Sequence, residues 1–233
     1  MTSRKSIFRK VCCLVLSLHI SLFFNYSLAQ HPNRIRINQL KEKLPFTNGS
    51  IRVDYLNSLS EEYWWFPRPN PDSIYLYASQ AYVESLQIKD SAGLTKSTLN
   101  LGVSEMYKRN FPSAETYFRQ SILLSGIEQD SKTAGWAYLY LGWVLFLKND
   151  YPDAEDAYNR ATYYFDKPGG EEGKGRNCAF RSMLYAAMGE YGKGFEYCRS
   201  SLQTRKKMND HVCILFSYNN FGNLYKAAGD YET

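Results

Sequence analysis

Few side chains in this 233-residue sequence have both the type and the spacing that chemistry needs. The histidines are His19, His31 and His211. His31 and His211 have no ligand-like neighbours, which leaves no Ser-His-Asp arrangement and no histidine-ligated metal. The segment from Pro168 to Gly175 has the glycines and the lysine of a phosphate-binding loop. Its first glycine is misplaced, however, and Gly175 stands where a serine or threonine would have to hold magnesium. It reads instead as a flexible connection. The acid pairs Glu61-Glu62 and Glu171-Glu172 are adjacent, so on a helix they point to different sides and cannot act on one substrate. Cys178 and Cys198 fall roughly opposite each other if two helices pair about a turn, and an oxidising compartment would permit a bridge. The alternative, small buried thiols, is favoured because Cys198 occupies a position that is aromatic elsewhere in the chain. No cofactor and no catalytic residue is expected, and function narrows to binding.

The elements behind that conclusion are repeated. Residues 135–164 read as two helices joined at Asn149 to Pro152. Steps of 40 from Gly142 reach Gly102, Ser182 and Gly222, all small. The same steps from Tyr151 reach Phe111, Tyr191 and Tyr231, all aromatic. From Ala154 they reach Ala114 and Gly194, and from Ala161 they reach Ala81, Ser121 and Ser201. A small residue in one helix lets its partner approach to contact distance, and an aromatic fills the wedge where the pair diverges. Each hairpin has too little core alone, so neighbours must stack on it.

These residues resemble the tetratricopeptide repeat. Its pattern is carried by Leu141-Gly142, Tyr151, Ala154, Tyr158 and Ala161, and again by Leu101-Gly102, Phe111, Ala114, Phe118 and Ser121. The third copy departs, with Arg181-Ser182 for Leu-Gly and Gly194 for alanine. The fourth retains Phe221-Gly222, Tyr225 and Tyr231. The period of 40 exceeds the common one of about 34. The resemblance implies an all-α fold, a right-handed superhelix of helix-turn-helix repeats across residues 51–233, here incomplete at the C-terminal side. It implies no chemistry.

Taken in order, residues 1–29 carry Arg4, Lys5, Arg9 and Lys10, then an apolar run from Val11 to Phe24, then Ser27-Leu28-Ala29. That is a signal peptide with cleavage expected before Gln30, an uncleaved anchor being the alternative. Cleavage removes four basic residues and no acid, leaving 24 basic against 23 acidic residues. The near-neutral remainder argues against nucleic acid as a partner. A membrane would be reached only through an uncleaved anchor or a segment beyond Thr233.

Residues 30–50 read as a linker with a short amphipathic helix from Ile35 to Leu44. A first hairpin follows, with a stiff turn from Pro67 to Pro71 and an N-cap from Asp72-Ser73. Helix pairs are expected at 93–109 and 112–126, 131–149 and 152–165, 175–189 and 192–208, then 212–229. A signal peptide, a short helix, Arg52-Val53-Asp54, Leu56-Asn57, Leu59-Ser60 and Asp72-Ser73-Ile74 together are similar to exported sensor regions of bacterial envelope signalling proteins.

The expected function is recognition of a protein or peptide by the face that the first helix of each hairpin lines. The setting would be the sensing part of a signalling system, or alternatively a scaffold or accessory subunit of an envelope complex. Trp136, Leu139, Trp143 and Phe146 form a stripe expected to face away from the partner helix. With Met106 and Tyr107 on one side, and Arg176 and Met183 on the other, they make the predicted groove. The competing arrangement has adjacent first helices burying these rings against each other.

Overall fold

A computed structural model of the protein describes residues 32–64 and 69–229. The segment read as a signal peptide, the middle of the stiff turn and Tyr231 lie outside those residues. Helix α1 (Pro32–Lys43) and a single 3-10 turn (Leu44–Phe46) form one unit, bounded at Thr47. The second unit, from Asn48 on, holds the repeats.

Nine helices are described in the second unit: α2 (Gly49–Glu62), α3 (Pro71–Ile88), α4 (Ser91–Tyr107), α5 (Phe111–Ile127), α6 (Ser131–Leu147), α7 (Tyr151–Phe165), α8 (Glu171–Ala187), α9 (Tyr191–Lys207) and α10 (His211–Ala228). They pair as successive hairpins, α2 with α3, α4 with α5, α6 with α7 and α8 with α9, and α10 packs against α8 and α9. No strand occurs among the described residues. None of the helices described is long and apolar enough to cross a membrane.

The grain of the stack is finer than 40 residues. Left-handed backbone recurs every 20 residues, at Lys89, Arg109, Gln129, Asn149, Gly169, Gly189, Asn209 and Gly229. Each closes one helix, and the first seven turn the chain into the next. Within this punctuation the two kinds of turn differ. Three of the four turns between hairpins carry aspartate caps: Asp90, Asp130 and Asp210 accept hydrogen bonds from the backbone N–H groups of Gly93, Thr133 and Cys213 at 2.9, 3.0 and 3.1 Å, while Gly170 stands before α8 without one. Turns within the hairpins of α5 and α7 instead use Pro112 and Pro152 early in the helix, where a missing N–H costs nothing.

Two local expectations are corrected here. Asn70, not Asp72-Ser73, caps α3: its side chain accepts from the N–H of Ser73 at 3.0 Å, and the helix begins at Pro71. The segment ending at Gly175 is not a flexible connection throughout, because α8 is already helical from Glu171. Gly173 and Gly175 lie inside this helix, and packing explains why they are glycines. A Cβ at Gly173 would lie 2.1 Å from the Phe165 ring, and one at Gly175 would lie 2.8 Å from Arg205 Nε.

The repeat columns are packing contacts. An added Cβ at Gly102 would meet the Phe118 ring at 2.6 Å, and one at Gly142 would meet the Tyr158 ring at the same distance. Ser121 and Ser201 are small, and their hydroxyls also donate to the carbonyls of Thr95 and Gly175 at 3.2 and 2.8 Å. Arg181, where the pattern departs from leucine, is buried with its guanidinium 4.5 Å from the Tyr197 ring centre. Its Nη1 donates to Thr162 Oγ1 at 3.4 Å. A cation stacked on an aromatic face replaces an apolar contact there.

Candidate functional site

A hollow of about 320 Å3 opens on the face lined by α4, α6, α8 and α10. Met106 and Tyr107 come from α4, Tyr140 and Trp143 from α6, and Arg176, Ala179 and Phe180 from α8. The C-terminal half of α9 supplies Ser201 and Arg205, and α10 supplies Cys213 and Phe216. These first helices place the side chains because their opposite sides are committed to Phe118, Tyr158 and Cys198 of the second helices, all fully buried.

The walls are aromatic. Tyr140 is buried at the centre of a cluster, edge-on to Trp64 at 5.6 Å and stacked on Phe118 and Trp136, both at 6.0 Å. Trp143 stacks on Phe180 at 4.6 Å and on Phe146 at 5.1 Å. Tyr107 donates from its hydroxyl to the carbonyl of Trp64 at 3.3 Å.

The charged groups are few and cationic. Arg176 Nη1 donates to the Tyr140 hydroxyl at 3.3 Å, and its guanidinium lies 5.5 Å from the Trp136 ring centre. Arg205 is only 3% exposed, and its Nη1 pairs with Asp210 Oδ2 at 2.8 Å. Burial pushes the Cys213 thiol up to about 11, and burial together with the nearby Tyr140 raises the Tyr107 hydroxyl above its ordinary value. Both stay protonated at neutral pH, so the charges on the cleft wall are guanidinium groups.

The predicted groove residues separate into three sets. Met106, Tyr107, Trp143 and Arg176 meet in this cleft. Phe146 and Met183 line a neighbouring hollow of about 290 Å3 with Ser182, Ala186, Asn220 and Leu224. Leu139 and Trp136 belong to the core cluster. Trp136 does not face away from its partner helix: it meets Phe165 of α7 edge-to-face at 5.4 Å. The reason is Gly135, against whose Cα side the Phe165 ring lies, so that the ring reaches its indole neighbour. The stacking of Trp143 on Phe180 is also a contact between adjacent first helices, alongside its place in the cleft wall.

Phe180, Tyr140, Cys213 and above all Arg205 were missed from the sequence. One signal was present: residues 85, 125, 165 and 205 form a repeat column reading Ser, Ser, Phe, Arg. An arginine at a buried column position marks a place where the fold does something other than pack. Cys178, Cys198 and Cys213 are all free thiols. No group of three or more His, Cys, Asp or Glu side chains among the described residues could hold a metal ion.

Paired helices of nearly equal length, small-to-aromatic seams and an aromatic inner face define a tetratricopeptide-like repeat solenoid. No protein-family model matches the sequence, and no curated protein matches it either. Solved structures do. A Rap protein complexed with competence and sporulation factor superposes with a TM-score of 0.71 at 17% identity, over 88% of this chain and 60% of that one. Aspartyl phosphate phosphatase F from Bacillus subtilis gives 0.65 at 14%, over 83% and 57%. BtubC (BKLC) from P. vanneervenii gives 0.60 at 17%, over 94% and 84%. The chain thus spans under two thirds of the first two, and at these identities the likeness is one of fold.

Proposed function

We propose that the protein binds a peptide or protein segment in the cleft between α4, α6, α8 and α10, as the sensing part of an exported signalling system. The observation that carries this reading is the cleft itself: an apolar, aromatic wall across four helices with two guanidinium groups set into it. Such a wall suits an apolar anchor side chain, and Arg176 can hold a carbonyl or carboxylate beside it. The structure of a Rap protein with a bound factor supports the fold as one that accommodates ligands. Export rests on residues 1–29, and N-terminal sequencing of the mature protein is expected to begin at Gln30.

The binding test is selection of displayed random peptides on the purified protein, followed by calorimetric titration of those selected. Arg176→Gln and Trp143→Ala are expected to weaken binding at least about tenfold, a loss of about 1.4 kcal/mol, while both variants keep a cooperative melt. Selected peptides that bind both variants as tightly as the parent protein would place recognition elsewhere.

A further inference from the structure

The hollow of about 290 Å3 beside the cleft lies between α6, α8 and α10. Phe146, Met183, Ala186 and Leu224 give it apolar walls, and no charged side chain lines it among the described residues. Trp143 of the cleft stacks on Phe146 of the hollow at 5.1 Å, so the two spaces share a wall. Asn220 also lines the hollow. It is only 4% exposed, and its Nδ2 has no hydrogen-bond partner. A buried donor left in that state costs stability, and native folds keep few of them.

The repeat supplies a comparison. Asn100 on α4 holds the same repeat position as Asn220, and its Nδ2 donates to Asn57 Oδ1 at 3.1 Å. The stack meets that amide donor itself and leaves the one on Asn220 unmet. Asn220 lies on the side of α10 turned toward the preceding helices. Leu224, one turn along, would be 2.7 Å from a Cβ at Gly194 of α9. Asn223 adds a complementary group at the rim. Its Nδ2 donates to Asn219 Oδ1 at 3.1 Å, which leaves its carbonyl oxygen as an acceptor.

We propose that this hollow is a side-chain pocket for a glutamine or asparagine of the peptide held in the cleft, an inference that rests on the cleft being the binding site. A carboxamide carries an acceptor for Asn220 Nδ2 and donors for the Asn223 carbonyl. A carboxylate would bring a charge to a wall that has no cation. An aliphatic side chain would leave the Asn220 donor unmet, which is how a polar site rejects an apolar analogue. The spacing follows from α8, which lines both spaces. Arg176 at the cleft and Met183 at the hollow are about 10 Å apart along the helix axis. An extended peptide covers that distance in about three residues. The ligand is thus a peptide with an apolar anchor at Trp143 and a carboxamide side chain about three residues away.

Displayed random peptides selected on the purified protein, then titrated calorimetrically as synthetic peptides, test the proposal. Selected sequences are expected to carry glutamine or asparagine about three residues from an apolar anchor. Replacing that residue by glutamate or leucine should weaken binding to the parent protein at least about tenfold. Asn220→Leu should no longer favour the glutamine peptide over the leucine one. Without peptide, it should melt at or above the parent, because an unpartnered donor is removed. Asn100→Leu, which breaks a hydrogen bond already made, should melt lower. Peptides that lose affinity with Trp143→Ala yet tolerate glutamate or leucine at every position would overturn the inference and leave the cleft reading standing. A glutamine preference retained by Asn220→Leu would overturn it as well. If no selected peptide responds to Trp143→Ala or Arg176→Gln, the cleft reading fails and this inference fails with it.

Discussion

The same substitution at two equivalent glycines should have opposite effects. Gly142 and Gly222 occupy one repeat position in helices α6 and α10, and glycine to alanine in a helix interior gains about 0.5–1 kcal/mol from backbone entropy alone. At Gly222 that gain is expected in full, because nothing lies within 4 Å of the new methyl. At Gly142 the methyl would stand 2.6 Å from Tyr158 Cε1 and 3.2 Å from the carbonyl of Ala154. Tyr158 is fully buried and has the Phe180 ring 6.3 Å away, so it has no solvent to retreat into. Overpacking of this kind costs about 1–3 kcal/mol, which exceeds or cancels the entropy gain. The difference between the two variants isolates the packing, since the helix contribution is common to both. It should appear as a melting midpoint about 2–12 °C lower for Gly142→Ala than for Gly222→Ala. The assay is thermal circular dichroism at low micromolar protein. A Gly142→Ala protein that melts at or above Gly222→Ala would refute the view that this column exists for close helix approach.

Phe165 and its glycines should couple. Gly173→Ala is expected to destabilise strongly in the parent protein, because its Cβ would lie 2.1 Å from the ring. It should be nearly harmless combined with Phe165→Ser, the residue that Ser85 and Ser125 show at that column; additive urea midpoints would contradict the contact. Stability should also respond to acid through the α9–α10 corner. Burial would raise the Asp210 carboxyl, but hydrogen bonds from Cys213 and the pairing with Arg205 outweigh it and hold the carboxyl below its ordinary value. A depressed folded-state value means that its contribution is fully present above the unfolded carboxylate range, about pH 4, and is lost as pH falls through the folded value. Asp210→Asn should therefore lower the melting temperature at pH 6 and narrow the fall between pH 5 and pH 3. An unchanged acid profile would show that the pair contributes nothing.

The repeat was legible in the sequence because it rests on residue size at fixed intervals. Gly102, Gly142, Ala114 and Ala154 are small wherever two helices must touch, and that requirement is local to a hairpin. Helix boundaries were nearly as legible, since turn residues and prolines act over three or four positions. The misreading at Glu171 shows the limit. Gly173 and Gly175 look like loop residues in isolation, yet both are helical, and they are glycines because Phe165 and Arg205, from different helices, fill the space that side chains would need. The cleft was half legible: Met106, Tyr107, Trp143 and Arg176 follow from the helical stripe, as residues on one side of one helix must share an environment. Trp136 went the other way because a glycine beside it admits the Phe165 ring, a contact between positions 29 residues apart that no single-helix pattern contains. Arg205 enters the cleft from a second helix, and Phe180 meets Trp143 from the next hairpin. Those facts belong to the stacking of one hairpin on the next, where the neighbours that decide burial are distant in sequence and only the tertiary structure brings them together.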